Sequence, residues 1–171
     1  MTQVSEQLIG DHAALDEILK QLQTALQNSN IEVAHAKLDL FWARLAVHIR
    51  AEHLHLFPAV LSSPENAAIV AELRQDHNFF MDQLALAVEI MRELSTLPDQ
   101  LILPEGLKNV KKIVREVERR LVTHNEVEES KIYHWTSISL NAEEQAQLES
   151  RITTELRKHP PRFTLSTWLN E

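Results

Sequence analysis

HIRAEHLHLFPAV, residues 48–60, decides how this chain is read. His48 and Glu52 are four positions apart, so on an α-helix they share one face, one turn from each other. The couplet returns as His124 and Glu128 in LVTHNEVEES. Two more histidines, His12 in IGDHAALDEIL and His77 in LRQDHNFFMDQL, lie inside helical patterns of their own. The spacing predicts that these six residues meet at the centre of one bundle and hold a pair of metal ions.

Working outward, the chain divides into long helical stretches. Apolar Leu8, Leu15, Ile18, Leu22 and Leu26 recur at helical spacing, which predicts a helix from about Ser5 to Gln27. Asn28-Ser29-Asn30 is a polar break, and a second helix follows from about Ile31 to Leu61, with a kink or early stop expected at Pro58. Ser62-Ser63-Pro64 reads as a capping serine with proline at the first helical position, opening a third helix from about Pro64 to Ser95. Thr96 to Gly106, with two prolines, is the longest connection, and the fourth helix runs from about Pro104 to Trp135. Asn141 with Glu143 and Glu144 signals the start of a fifth, to Lys158, which Pro160-Pro161 ends. The tail carries Phe163, Leu165, Trp168 and Leu169, expected to dock on the bundle or on a second subunit.

The fold class is therefore all-α: an up-down-up-down four-helix bundle with an extra C-terminal helix and tail. The expected domains are residues 1–138, the metal-binding bundle, and residues 139–171, the appended helix and tail. A register argument supports this. In antiparallel helices, residues at one height lie equally far from the turn that joins them. The midpoint of His12 and His48 is position 30, inside the Asn28–Asn30 break. The midpoint of the first couplet and His77 is 63.5, in the Ser62–Glu65 turn, and that of His77 and the second couplet is 101.5, between Pro98 and Pro104. Unrelated core histidines would rarely satisfy all three turns.

Composition bounds the chemistry. The absence of cysteine excludes disulfides, thiolate zinc sites and cysteine-ligated iron–sulfur clusters. Seventeen Lys+Arg against 25 Asp+Glu give a net charge of −8, which disfavours nucleic acid. The locally basic KNVKKIVREVERR reads as the wet face of an amphipathic helix. Neither a secretory signal nor a membrane-spanning run is evident, so a cytoplasmic protein without membrane partners is expected.

Four imidazoles and two carboxylates would be costly to bury alone, and two divalent cations relieve that cost. Nitrogen and oxygen donors suit iron or manganese, and also zinc. Two imidazoles per metal with two bridging carboxylates give four protein ligands each; an oxo or hydroxo bridge makes five and leaves a six-coordinate iron one site for dioxygen or nitric oxide.

DHAALDEIL, His48 to Glu52 followed by Leu56-Phe57-Pro58, DHNFF, and His124-Asn125-Glu126-Val127-Glu128 together resemble the hemerythrin-like, or HHE cation-binding, family over about residues 5–135. The resemblance implies a four-helix bundle with a carboxylate-bridged pair of iron ions. It also implies a role in binding dioxygen, sensing oxygen or iron, or answering nitric oxide and oxidative damage. Oxygen carriers of the family have a fifth histidine from an H-x-x-x-H pair on the third helix, where this chain has Leu73 and Met81 four residues either side of His77. They also have an aspartate at wider spacing in place of Glu128. The four-histidine, two-glutamate set is closer to the sensing and stress-related branches.

The other histidines are read separately. His55, seven from His48, is about 10 Å along the axis, too far to share a metal ligated by His48 without bending; whether it reaches the neighbouring iron or only its surroundings is left open by the spacing. His53 points about 140° from His48 and is expected to be exposed; His35 is on the wrong face, and His134 and His159 are expected in solvent near helix ends. Phe41, Trp42, Phe57, Phe79, Phe80 and Trp135 are read as core, some walling the metal pocket. A ferritin-like oxidase would need two Glu-x-x-His motifs at the centre; Glu52-His53-Leu54-His55 fits, while the other occurrence, Glu32-Val33-Ala34-His35, puts its histidine on the wrong face. No H-E-x-x-H or phosphate loop occurs. A binding or sensing protein, with a homodimer as one arrangement, is favoured over an enzyme; a metal-free helical interaction module is the alternative.

Overall fold

A computed structural model describes residues 3–96 and 103–159. Helix α1 spans Gln3–Gln27. Helix α2 begins at Ile31–Ala51, widens into a π turn over Glu52–Leu56 and finishes with Phe57–Val60. A short 3-10 turn, Pro64–Asn66, leads into α3, Ala67–Thr96. Helix α4 starts as Leu103–Val127, passes through a second π turn, Glu128–Tyr133, and ends as His134–Ser139. Helix α5 is Ala142–Leu156. The described residues contain no strand, and none of their helices is long and apolar enough to cross a membrane.

Turn chemistry explains the boundaries. Ser29 adopts φ 54°, and the Asn30 side chain caps α2 by accepting from the Val33 amide at 3.2 Å. At the next turn Ser63 occupies the cap position, but its side chain makes no capping bond. Buried Asn66 closes that turn instead, donating to the Val60 carbonyl at 2.9 Å. Asn141 and Glu144 form a reciprocal capping box at the start of α5. The expected connection from Thr96 to Gly106 and the apolar tail from Phe163 to Leu169 lie largely or wholly outside the described residues.

Pro58 does not stop α2. The chain continues as helix to Val60, and the widened turn just before the proline accommodates the carbonyl its ring would otherwise strike. The second π turn contains no proline. What the two turns share is a buried glutamate at the first position, Glu52 and Glu128.

Helix α1 packs on α2, α2 on α3, α3 on α4 and α4 on α1, while α5 lies across α1 and α2. In α4 the buried seam runs Leu107, Val110, Val114, Val117, Leu121, His124 and Glu128. Spacings of three and four carry this seam past the lysines and arginines of the basic segment, which occupy the outer face. Two apolar clusters result. One includes Leu22, Phe41, Leu45, Leu84, Met91 and Val114; the other gathers Leu8, Leu56, Phe57, Leu73, Ile132 and Ile152. Between them lies a polar layer.

Candidate metal centre

His12, His48, Glu52, His77, His124 and Glu128 converge in that layer, all six buried. They occupy seam positions of α1, α2, α3 and α4. The polar groups thus face inward for the same geometric reason as the leucines one turn away. His12 Nε2 lies 3.1 Å from His48 Nε2, and His77 Nε2 lies 3.0 Å from His124 Nε2.

The two carboxylates join these imidazole pairs. Glu52 Oε1 is 3.4 Å from His48 Nε2, while its Oε2 is 3.3 Å from His77 Nε2. Glu128 directs Oε2 to His12 Nε2 at 3.3 Å and Oε1 to His124 Nε2 at 2.9 Å and His77 Nε2 at 3.5 Å. Each glutamate therefore sends one oxygen to either pair. Two groups emerge that could hold a cation: His12, His48, Glu52 and Glu128, and His77, His124 and Glu128. Glu52 Oε2 and Glu128 Oε1 are buried without a hydrogen-bond partner; the 2.9 Å approach of His124 lacks hydrogen-bond geometry. Buried carboxylate oxygens left so are costly. They lie close against imidazole nitrogens, as donor atoms sharing a cation do.

Behind the imidazoles, the outer nitrogens are held in place. His48 Nδ1 donates to Asp11 Oδ2 at 2.8 Å, and Arg44 Nη2 donates to the other oxygen at 3.0 Å. His124 Nδ1 donates to Asp76 Oδ2 at 3.1 Å, and Arg120 Nε donates to Asp76 Oδ1 at 2.7 Å. The two halves repeat: an Asp-His pair on one helix, and Arg, His and Glu at successive four-residue spacing on the next. Such partners fix the ring orientation and leave Nε2 free to ligate. The Asp-His dipeptides at positions 11–12 and 76–77, with arginines four residues before His48 and His124, are the sequence signal for this support.

The remaining two histidines differ. His12 Nδ1 meets Glu129 Oε1 at 2.9 Å, whereas His77 Nδ1 meets His53 Nε2 at 2.9 Å. His53 is thus not an exposed residue. It lies half-buried on the α2 flank that packs on α3, where pointing away from His48 means pointing toward His77. Burial, the neighbouring His77 and Arg74 push it down to about 3, so it stays neutral, with a ring nitrogen able to accept a hydrogen bond. His55 turns to α5, with Nε2 3.6 Å from Glu155 Oε2, so the Glu-x-x-His motif of Glu52 and His55 does not assemble at the layer. Glu155 also receives Arg50 Nε at 2.5 Å. His35 bonds near Asp39 and Ser95; His134 and His159 are exposed.

Tyr133 belongs to the layer although no helical spacing marks it. Its hydroxyl donates to Glu52 Oε1 at 2.8 Å and lies 3.2 Å from Glu128 Oε2 and 3.1 Å from His12 Nε2. In a regular helix it would sit about 140° from Glu128. The π turn, with its longer repeat, brings residue i+5 beneath residue i. Phe57 arrives in the same way, its amide bonding the Glu52 carbonyl.

Electrostatically, the layer without metal holds protons where cations would sit. Burial opposes charge on His48, but Glu52 and Asp11 outweigh it and hold the imidazole well above its usual range. At His124 burial is likewise outweighed by Glu128 and Asp76, reaching about 9. Burial dominates at His77, which falls below its usual value despite the glutamates. Glu128 is held well below the carboxylate range, since His124, His12 and His77 outweigh its burial. Burial, Glu128 and Glu52 push the Tyr133 phenol well up.

A helical bundle with paired imidazoles joined by two carboxylates defines the class: a protein with a candidate two-cation centre. Residues 3–136 match the hemerythrin HHE cation-binding domain, and the chain belongs to that family. Comparison with curated proteins and with solved structures returned no match.

Proposed function

We propose that this protein is a hemerythrin-like non-haem di-iron protein that binds or senses dioxygen, nitric oxide or iron rather than converting a substrate. In this reading residues 1–138 form an up-down-up-down four-helix bundle, and residues 139–171 supply an appended helix and tail. His12, His48, His77 and His124 ligate through Nε2, and Glu52 and Glu128 bridge. The observation that carries the reading is the pair of buried carboxylate oxygens without hydrogen-bond partners, each facing imidazole nitrogens. Sulfur-free nitrogen and oxygen donors fit iron, with manganese and zinc as competitors. Bound iron would supply redox chemistry and open positions for a diatomic ligand.

The chain's own part is to hold donor atoms in place and keep water out. Asp11, Asp76, Glu129 and His53 orient the rings from behind, and the apolar clusters close the layer from both sides. Cation loading displaces the protons held on His48 and His124, so affinity should rise with pH.

Metal analysis after anaerobic iron reconstitution tests the proposal. About two irons per chain are expected, with a melting temperature that falls on chelation, because a ligand of the folded state alone stabilises it. Less than one equivalent, with no change in melting temperature, would leave a metal-free interaction module as the better description.

A further inference from the structure

The two cation positions share a ligand plan but not their surroundings. Five residues after each glutamate, an aromatic ring is delivered by a π turn: Phe57 after Glu52 and Tyr133 after Glu128. The deliveries cross over. Phe57 stacks on His77, ring centres 5.8 Å apart and planes at 13°. Tyr133 lies against His12, ring centres 5.7 Å apart and planes at 31°. The halves are thus related by an approximate twofold, broken where one aromatic carries an oxygen and the other does not.

That oxygen is placed selectively. Its three neighbours, Glu52 Oε1, Glu128 Oε2 and His12 Nε2, all belong to the His12–His48 position. On the opposite side, Glu52 Oε2 and Glu128 Oε1 meet no hydroxyl and accept no hydrogen bond. Tyr133 is 1 % exposed, and its ring is locked in an apolar cluster with Leu8, Leu73 and Ile132. Turning the phenol away would bury a hydroxyl among hydrocarbon side chains, at the cost of an unmade hydrogen bond.

Resting on the di-iron reading, we propose that Tyr133 is a fifth protein ligand at the His12–His48 position, bound as its phenolate, and that an added diatomic binds at the His77–His124 position under Phe57. The cation takes the place of the phenol proton, which leaves to bulk water as metal loads. One metal then has five protein donors and the other four, so the vacancy falls on the latter. The fifth donor that α3 lacks, with apolar Leu73 and Met81 flanking His77 by four residues, comes instead from α4. The outer partners reinforce the inequivalence: His12 is backed by the Glu129 carboxylate and His77 by the His53 imidazole.

The test exploits composition. Tyr133 is the only tyrosine in the chain, and there is no cysteine. Any phenolate-to-iron(III) charge-transfer band in the visible spectrum of the unmodified, iron-loaded protein must come from this residue, and resonance Raman would show phenolate ring modes on excitation within it. The expected result is such a band, with complete loss in Tyr133→Phe at retained iron content. Nitric oxide titration of the reduced protein should saturate at one molecule per pair of irons. Phe57→Trp should weaken that binding at least tenfold without removing the band.

If two irons load and the unmodified protein shows no phenolate band, the ligand assignment is overturned while the di-iron reading stands. Failure of iron to load removes both. Phenolate modes in the unmodified protein support the assignment even if Tyr133→Phe does not fold. A band with nitric oxide binding unaffected by Phe57→Trp overturns the placement of the open position.

Discussion

Two regions of this bundle are built from the same helices by opposite rules. Around Leu22, Phe41, Leu84 and Val114 the helices are regular α and the interior is hydrocarbon. Two to three turns beyond Phe41 on α2 and Val114 on α4, the interior becomes four imidazoles, two carboxylates and a phenol, and both helices that supply the carboxylates widen into π turns. The apolar region needs only burial, roughly 1.5–3 kcal/mol for each large side chain. The polar layer must be complete to be tolerated, because a buried charge without its partner costs several kcal/mol. The difference teaches that one region makes the fold and the other is carried by it. Stability should therefore depend on metal and pH in the layer and on neither in the hydrocarbon.

The strongest challenge to that division is Phe41→Ala. Phe41 is fully buried in the apolar cluster, so truncation should cost about 3–5 kcal/mol by denaturant unfolding. The loss should be equal within error in iron-loaded and chelated protein. A loss that depended on metal would mean the two regions are not separable.

Proton linkage offers an intermediate effect. In metal-free protein His48 and His124 titrate above their ordinary value, His124 at about 9. A raised folded value means the contribution is whole below the unfolded imidazole value, about 6.5, and is lost as pH rises through the folded one. Metal-free protein should therefore lose on the order of 2 kcal/mol between about pH 6.5 and 9. Loaded protein, with neutral ligating imidazoles, should show no such slope. Equal slopes in the two forms would show that these histidines are not where the cations bind.

The smallest effect sharpens the boundary of the layer. Helix α5 braces α2 through Glu155, which meets Arg50 just before the π turn and His55 within it, and begins at the capping box of Asn141. Asn141→Ala should cost about 1 kcal/mol, read as faster amide exchange over residues 142–156, with iron content unchanged. Loss of iron would make α5 part of the site rather than its support.

The chain showed its plan where helical phase was regular. Leucines, lysines and ligand candidates follow the same three-and-four spacing, so the seam of α4 and the convergence of all six candidate residues could be read from the residues alone. The misreadings sit where phase or packing departs from a lone regular helix. Helical phase alone puts His53 in solvent, because an angle from His48 says which way it points but not which helix stands there. Nothing in regular helical spacing marks Tyr133, because five residues place a side chain off the seam unless the turn widens. Asp11 and Asp76 were legible as Asp-His pairs, but their acceptor role reaches across to the neighbouring helix, which no single-helix pattern encodes.

The two widened turns also bear on how relatives of this chain should be aligned. Each holds its downstream helix out of phase with what precedes it. Deleting a single residue between Glu128 and Tyr133 would swing the phenol about 100° around the axis without altering its identity. A gap in that interval thus removes the hydroxyl as surely as a substitution, and a tyrosine aligned to position 133 is equivalent only when the count from the glutamate is preserved.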